Sequence, residues 1–273
     1  MPVTATDRTV LSITLILLVV GLVAGILAGL FGIGGGLVIV PALVWLLLAQ
    51  GLDSNTAMPV AVATSLATML LTACSAVWFH QRRGALDWAA VARLAPAVAA
   101  GGAFGAALAV VIPGRALAIV FAVVAALIGL RMILAAGTRV LERTAFPRFW
   151  WLAGPVIGAV SAMVGIGGGT FNVPYLARNG YSMVRAVAIA SACGWPIAAG
   201  GALVFALSEV TEHTLAWHVG HVWLPGMVLI GLGGMLGAPA GVALAHRLPA
   251  TRLRRLFGVV LILVAIRMVV GIG

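Results

Sequence analysis

A chain of 273 residues that is 63% hydrophobic and 8% charged, with several apolar runs of about 20 residues, is a polytopic helical membrane protein, because such runs are long enough to span a bilayer core. The formal charge of +10 comes from 16 Arg and no Lys, set mostly between the apolar runs, which assigns it to anchoring and orientation and not to nucleic acid. Cys74 and Cys193 fall at unrelated places and no CxxC or His/Cys cluster exists, so neither a disulfide framework nor a metal site is expected.

Residues 1–9 form a short N-terminal tail, followed by an apolar run from Val10 to Phe31 that is too long for a signal-peptide core and is expected to be retained. The run continues into GIGGGLVIVPAL at residues 32–43. Glycine costs about 1 kcal/mol relative to Ala in a helix interior, and a cluster of four frees backbone groups that hydrocarbon cannot satisfy. The segment Val10–Leu48 is therefore broken, and the break must be buried in protein or line a cavity. Three long helices are expected next: Pro59–Phe79, Trp88–Val111 and Arg115–Leu134. A charged linker at residues 137–148 follows. The second half opens with Phe149–Ala177, broken at GIGGGTFNVPYL (165–176), and continues as Met183–Phe205, Val222–Ala245 and Leu253–Ile272. Pro59, Pro113 and Pro249 stand near starts or junctions, where a missing N–H is tolerated.

The halves repeat one another. At an offset of 133, residues 21–43 match 154–176 at 11 of 23 positions, and at an offset of 136, residues 113–132 match 249–268 at 8 of 20. The expected division is repeat 1 over 10–136 and repeat 2 over 149–273. If each broken segment crosses once, the Arg split about nine to seven between the faces and orient nothing. If each turns back, the repeats are inverted, and 13 Arg lie on one face against Arg8, Arg115 and Arg267 on the other. The positive-inside rule favours the second arrangement, with the linker and Arg-rich loops cytoplasmic and both termini outside. The predicted fold is all-α, with about 8 hydrophobic segments arranged as two inverted repeats, each a re-entrant-like broken segment plus three transmembrane helices.

Inverted repeats bring the two breaks together near the midplane, each followed by a short helix whose free N–H groups point inward. Helix N-termini bind anions without a basic side chain, which nominates Gly34, Gly35, Gly36, Gly167, Gly168 and Gly169 as an anion site. The bland alternative is that the glycines serve close helix packing. Nearby Thr64, Ser65, Thr68, Ser191, Thr170 and Asn172 are candidate donors, set against the habit of membrane Ser and Thr of bonding their own helix backbone. Asn172 needs a partner in its apolar segment, whether a ligand or another helix. Pro41 and Pro174 follow the breaks at matching positions, and Trp195-Pro196 is a candidate kink and gate.

The acids Asp7, Asp53, Glu209, Glu212, Asp87 and Glu142 all map to one face or the other, so no midplane carboxylate marks a proton path. His80 closes a helix, and His213, His218 and His221 with Trp217 and Trp223 are expected as interfacial belt residues. Cys193 is expected to be a buried apolar filler.

The doubled GxGGG followed by Pro, the TSL at 64–66, the stretch Arg82–Trp88 and the closing R-L-P…L-R-R-L-F at 247–257 resemble the sulfite exporter TauE/SafE family of membrane permeases over nearly the whole chain. The resemblance implies transport of small, often sulfur-containing anions, and it carries to the Gly and Pro of both motifs and to Thr64-Ser65. The second half departs from it, with Ala190-Ser191 in place of the TS pair. The expected activity is that of a secondary transporter in a bacterial inner membrane, exporting a sulfur oxyanion such as sulfite or an organosulfonate. It is not an enzyme, it needs no cofactor, and its partners are a small anion and lipid with no nucleic acid. A proton- or ion-coupled importer and a non-transporting membrane scaffold are the competing readings.

Overall fold

Apolar runs with no water to bond their backbone close their hydrogen bonds within the segment, and among the described residues of the computed structural model the regular structure is accordingly helical apart from one small hairpin. It describes residues 5–31, 34–134, 149–209, 216–245 and 250–271. The elements are α1 (Ala5–Phe31), α2 (Gly36–Ala49), α3 (Ser54–Arg82), α4 (Trp88–Val111), α5 (Gly114–Leu134), α6 (Trp150–Met163), α7 (Gly169–Arg178), α8 (Met183–Leu207), β1 (His218–Val219), β2 (Val222–Trp223), α9 (Leu224–Ala245) and α10 (Ala250–Gly271). Among the described residues, six helices (α1, α3, α4, α5, α8 and α9) are long and apolar enough to cross a membrane. At 14 and 10 residues, α2 and α7 reach only about 21 and 15 Å by helical rise.

Polar caps fix several boundaries. Asp53 Oδ2 accepts the Asn55 N–H at 2.9 Å and Asp87 Oδ1 accepts the Ala90 N–H at 3.1 Å. The Asp53 cap starts α3 at Ser54, ahead of the Pro59 start expected from sequence, and leaves Pro59 inside the helix.

Close approaches give the helix directions. Sites for a Cβ on Gly21 and Gly25 of α1 fall on Ile230 and Gly234 of α9, so these helices run parallel. Gly101 and Gly105 of α4 meet Pro155 and Ala159 of α6, again in parallel. Thr64, Leu71 and Thr72 of α3 sit beside Gly226, Gly231 and Gly234 of α9, whereas Leu66 and Met69 sit beside Gly201 and Gly194 of α8. Thus α3 is parallel to α9 and antiparallel to α8. Asn55 Oδ1 accepts the Gly114 N–H at 3.0 Å, so α5 begins where α3 begins, and Trp88 Nε1 donates to Gln81 Oε1 at 2.7 Å, so α4 begins where α3 ends.

Helices α1, α3, α5 and α9 therefore run from the face on which the chain begins (the N-terminal face) to the opposite one (the linker face), and α4, α6 and α8 run back. Since α1 and α3 point the same way, α2 must return the chain to the N-terminal face, and α7 does the converse between α6 and α8. Each glycine break is a turn-back, and the two halves are inverted. Arg82, Arg83, Arg93, Arg131, Arg178, Arg185 and Arg255 lie toward the linker face, and Arg115 and Arg267 toward the N-terminal face.

The repeats of sequence are not the units of packing. Helix α1 lies along α9 of the other half, α4 lies along α6 and α8 of the other half, and α5 pairs with α10. One bundle gathers α1, α2, α3 and α9, the other α4, α6, α7 and α8, and they meet along α3 and α8.

Two expectations change. Val222 does not open α9, because residues 218–223 form an antiparallel hairpin pairing His218 with Trp223 and Val219 with Val222. That hairpin carries His221 and Trp223 into the body, at 8% and 7% exposure, so these two are not belt residues, while Trp217 at 79% is free to be one. Linker residues 137–148, Glu142, Glu212 and His213 lie outside the described residues.

Candidate functional site

The site is built by the two breaks. Helix α1 gives way to α2 through a turn in which Gly34 takes φ +76°, and α6 to α7 through one in which Gly165 takes φ +66°, a left-handed conformation that glycine adopts without steric cost. The turns touch. A Cβ on Gly34 would lie 3.4 Å from Gly167 Cα and N, and one on Gly36 would overlap the Gly165 carbonyl oxygen and lie 3.0 Å from Ile166 Cα. Gly36 and Gly165–Gly169 are buried, while Gly34 and Gly35 are partly open. Helices α3 and α8 wall the meeting point: Met69 Sδ lies 3.4 Å from the Cβ site of Gly167, and Gly194 faces the Gly168 N–H, with 3.8 Å from its Cβ site to that nitrogen.

Both short helices start bare. Their N-caps, Gly35 and Gly168, offer no side chain, and neither first turn carries an acid. A helix start carries roughly half a positive charge, and no acidic side chain in either first turn offsets it here. Pro41 and Pro174 are the sixth residues of α2 and α7, where each withholds one N–H from the second turn.

The candidate polar residues divide by what their side chains hold. Ser65 Oγ donates to the Gly165 carbonyl at 2.8 Å and so ties α3 to the second break. Thr64 Oγ1 accepts the Trp223 N–H at 3.0 Å, which anchors the hairpin on α3. This accounts for the departure at Ala190: the short α3–α4 connection has no hairpin for a second Thr to hold. Thr68 and Ser191 donate to Thr64 and Val187 of their own helices, each at 2.8 Å. Thr170 is half-buried in the first turn of α7. Trp195 is 46% exposed, so its ring faces outward and any gating at Trp195-Pro196 rests on the proline backbone alone.

Asn172 stands apart. It is fully buried, and neither Oδ1 nor Nδ2 has a hydrogen-bond partner, a situation that costs about 1–3 kcal/mol per unmet group. Its Nδ2 lies 2.6 Å from where a Gly168 Cβ would be, so the amide folds back over the start of α7. Ser161 Oγ, on α6 ahead of the second break, is likewise buried and unpaired. Sequence reasoning passed over Ser161, although a lone hydroxyl four residues before Gly165 was visible. Nothing in sequence pointed to the hairpin that Thr64 holds.

The hairpin has a second latch. His221 N–H donates to the Phe205 carbonyl at 2.9 Å, and His221 Nδ1 lies 2.7 Å from Ser208 Oγ. Burial holds the His221 pKa below its ordinary value, partly offset by its hydrogen bond to the Phe205 backbone and pushed further down by His218. Among the described residues no group of three His, Cys, Asp or Glu is placed to hold a metal ion.

The model of the family described as sulfite exporter TauE/SafE matches residues 17–268. A probable membrane transporter protein of Haemophilus influenzae is 33% identical over 264 residues, 93% of this chain and 97% of that one. Another from Methanocaldococcus jannaschii is 27% identical over 243 residues (88% and 89%), and YunE of Bacillus subtilis, also described as a probable membrane transporter protein, is 25% identical over 276 (93% and 96%). No solved structure matches.

Proposed function

The chain belongs to the sulfite exporter TauE/SafE family and is a membrane transporter, and from that premise we propose that it exports a small sulfur-containing oxyanion bound where the two glycine breaks meet. The observation that carries this reading is the contact between the breaks: two uncapped, acid-free helix starts converge at one buried point fed by turn-back segments from opposite faces. The bound anion takes backbone N–H groups of Gly36 and Gly169 and their neighbours, with Asn172 beside them. Ser65 holds the second turn in place, and Thr64 holds the hairpin on the N-terminal side.

Alternating exposure follows the packing units. The bundle of α1, α2, α3 and α9 moves against that of α4, α6, α7 and α8, sliding along α3 and α8, so each body contains helices of both repeats. The competing motion is one in which one repeat rocks against the other. The Arg-rich linker face is cytoplasmic in a bacterial inner membrane, and both termini are outside. An inside-negative potential favours anion exit by about 2.3 kcal/mol per charge per 100 mV, so export requires no proton coupling.

Efflux of sulfite from proteoliposomes, with and without an imposed potential, tests the proposal. The expected result is potential-driven efflux that Gly168→Val abolishes in protein that still inserts and purifies as a single species. The absence of flux for every sulfur oxyanion tried, or wild-type flux in correctly inserted Gly35→Val and Gly168→Val proteins, overturns it.

A further inference from the structure

The unpaired amide of Asn172 constrains the chemistry of the ligand beyond its charge. Asn172 is the fourth residue of α7, wholly buried, with Nδ2 folded over the N-cap Gly168. The surroundings are mostly apolar: Ile197 Cδ1 lies 2.9 Å from the Gly168 Cβ site and Met69 closes on Gly167, while the Ala190 carbonyl oxygen, 3.6 Å from the Gly168 Cβ site, makes no hydrogen bond with the amide. The first break carries Ile39 at the equivalent position, so the amide is no requirement of the turn-back itself. A buried polar side chain with both ends unmet, at the mouth of a bare helix start, marks a place that a ligand completes.

A carboxamide has two unlike ends. Its N–H donates to an anionic oxygen, as the backbone N–H groups do, whereas its oxygen only accepts. An anion made of acceptors alone leaves that oxygen dry and sets it against charge of the same sign. An anion that also carries an O–H or N–H satisfies both ends. As the amide is placed, with Nδ2 toward the start of α7, both ends are unmet.

Resting on the anion-transport reading of the two breaks, we propose that the ligand is a monoanion bearing its own hydrogen-bond donor beside its anionic oxygens, and that Asn172 is the residue that selects it. Hydrogensulfite and amino- or hydroxy-substituted sulfonates belong to this class, while sulfate, the sulfite dianion and simple alkylsulfonates do not.

Sulfamate and methanesulfonate make the test, because they share shape and single charge and differ by an NH₂ in place of a CH₃ on sulfur. Binding of each to purified full-length protein is measured by ligand-dependent thermal stabilisation and by competition with sulfite efflux from proteoliposomes. Sulfamate is expected to bind at least about fivefold more tightly than methanesulfonate, since leaving a buried acceptor unmet costs that much or more. Asn172→Leu should bring the ratio to within about twofold and, by removing two unmet polar atoms, leave the ligand-free protein as stable as wild type or more so. Equal binding of the two anions by wild type, or a preference that survives in Asn172→Leu, overturns the proposal while leaving anion transport standing. Failure of every oxyanion to bind or move overturns the transport reading and this inference with it. The wild-type comparison stands by itself if the Leu variant cannot be purified.

Discussion

Replacing Gly36 by Ala attacks the contact between the two breaks at its tightest point. A methyl there would overlap the Gly165 carbonyl oxygen and lie 2.9 Å from its carbon, whereas ordinary van der Waals contact begins near 3.4 Å. The Gly165 peptide must therefore retreat by 3.4 − 2.9 = 0.5 Å at its carbon and by more at its oxygen. That oxygen is held by Ser65 Oγ at 2.8 Å, so the retreat also disturbs the bond that ties α3 to the second break. Overpacking of this kind costs about 1–3 kcal/mol, and a misplacement of order 1 Å in a preorganised site is enough for about a hundredfold loss of function. Gly36→Ala should therefore lower sulfite efflux from proteoliposomes by at least about tenfold and lower the melting temperature in detergent, with membrane insertion retained. Gly271→Ala, whose Cβ would meet nothing within 4 Å, serves as the control that changes neither. If Gly36→Ala protein melts and transports as wild type does, the two breaks do not meet as described and the site falls with them.

Other perturbations separate the remaining roles. Thr64→Val keeps the shape of the side chain but leaves the buried Trp223 N–H without an acceptor, so thermal unfolding should show a loss of about 1–3 kcal/mol that Thr64→Ser largely avoids. Because burial depresses the His221 pKa, the unfolded chain takes up a proton at the ordinary value while the folded chain resists it. The latch's contribution is thus complete above the unfolded value of about 6.5 and is lost as pH falls toward the lowered folded value, and His221→Asn should flatten the fall in melting temperature between pH 7.5 and 5.5, a range chosen to bracket about 6.5. In protein lacking Cys74 and Cys193, a disulfide between Ala103→Cys and Gly200→Cys, whose Cβ positions lie 3.7 Å apart across α4 and α8, should leave flux intact. Rocking of one repeat against the other would instead make that cross-link block transport, because α4 and α8 belong to different halves.

Sequence alone determined the membrane class, the two repeats and the placement of the breaks, because apolar length, self-similarity and clustered glycine are local properties that hydrocarbon punishes or permits wherever they occur. The Arg asymmetry favoured inversion over a single crossing by each broken segment, and the helix directions agree. Tertiary structure decided what sequence order cannot encode. Helices α4 and α9 changed partners because the small residues that let backbones touch, at Gly101, Gly105 and Gly234, find their complement in the opposite repeat. Thr64 and Ser191 looked alike in sequence and parted in the fold, where one meets a hairpin from 159 residues away and the other reaches only its own carbonyl four residues back. Asn172 divides in the same way between what the chain shows and what the fold decides. Its position beside the glycines could be read from the chain, but that both ends of its side chain stay buried and unmet could not, because satisfaction depends on every neighbour the fold brings near.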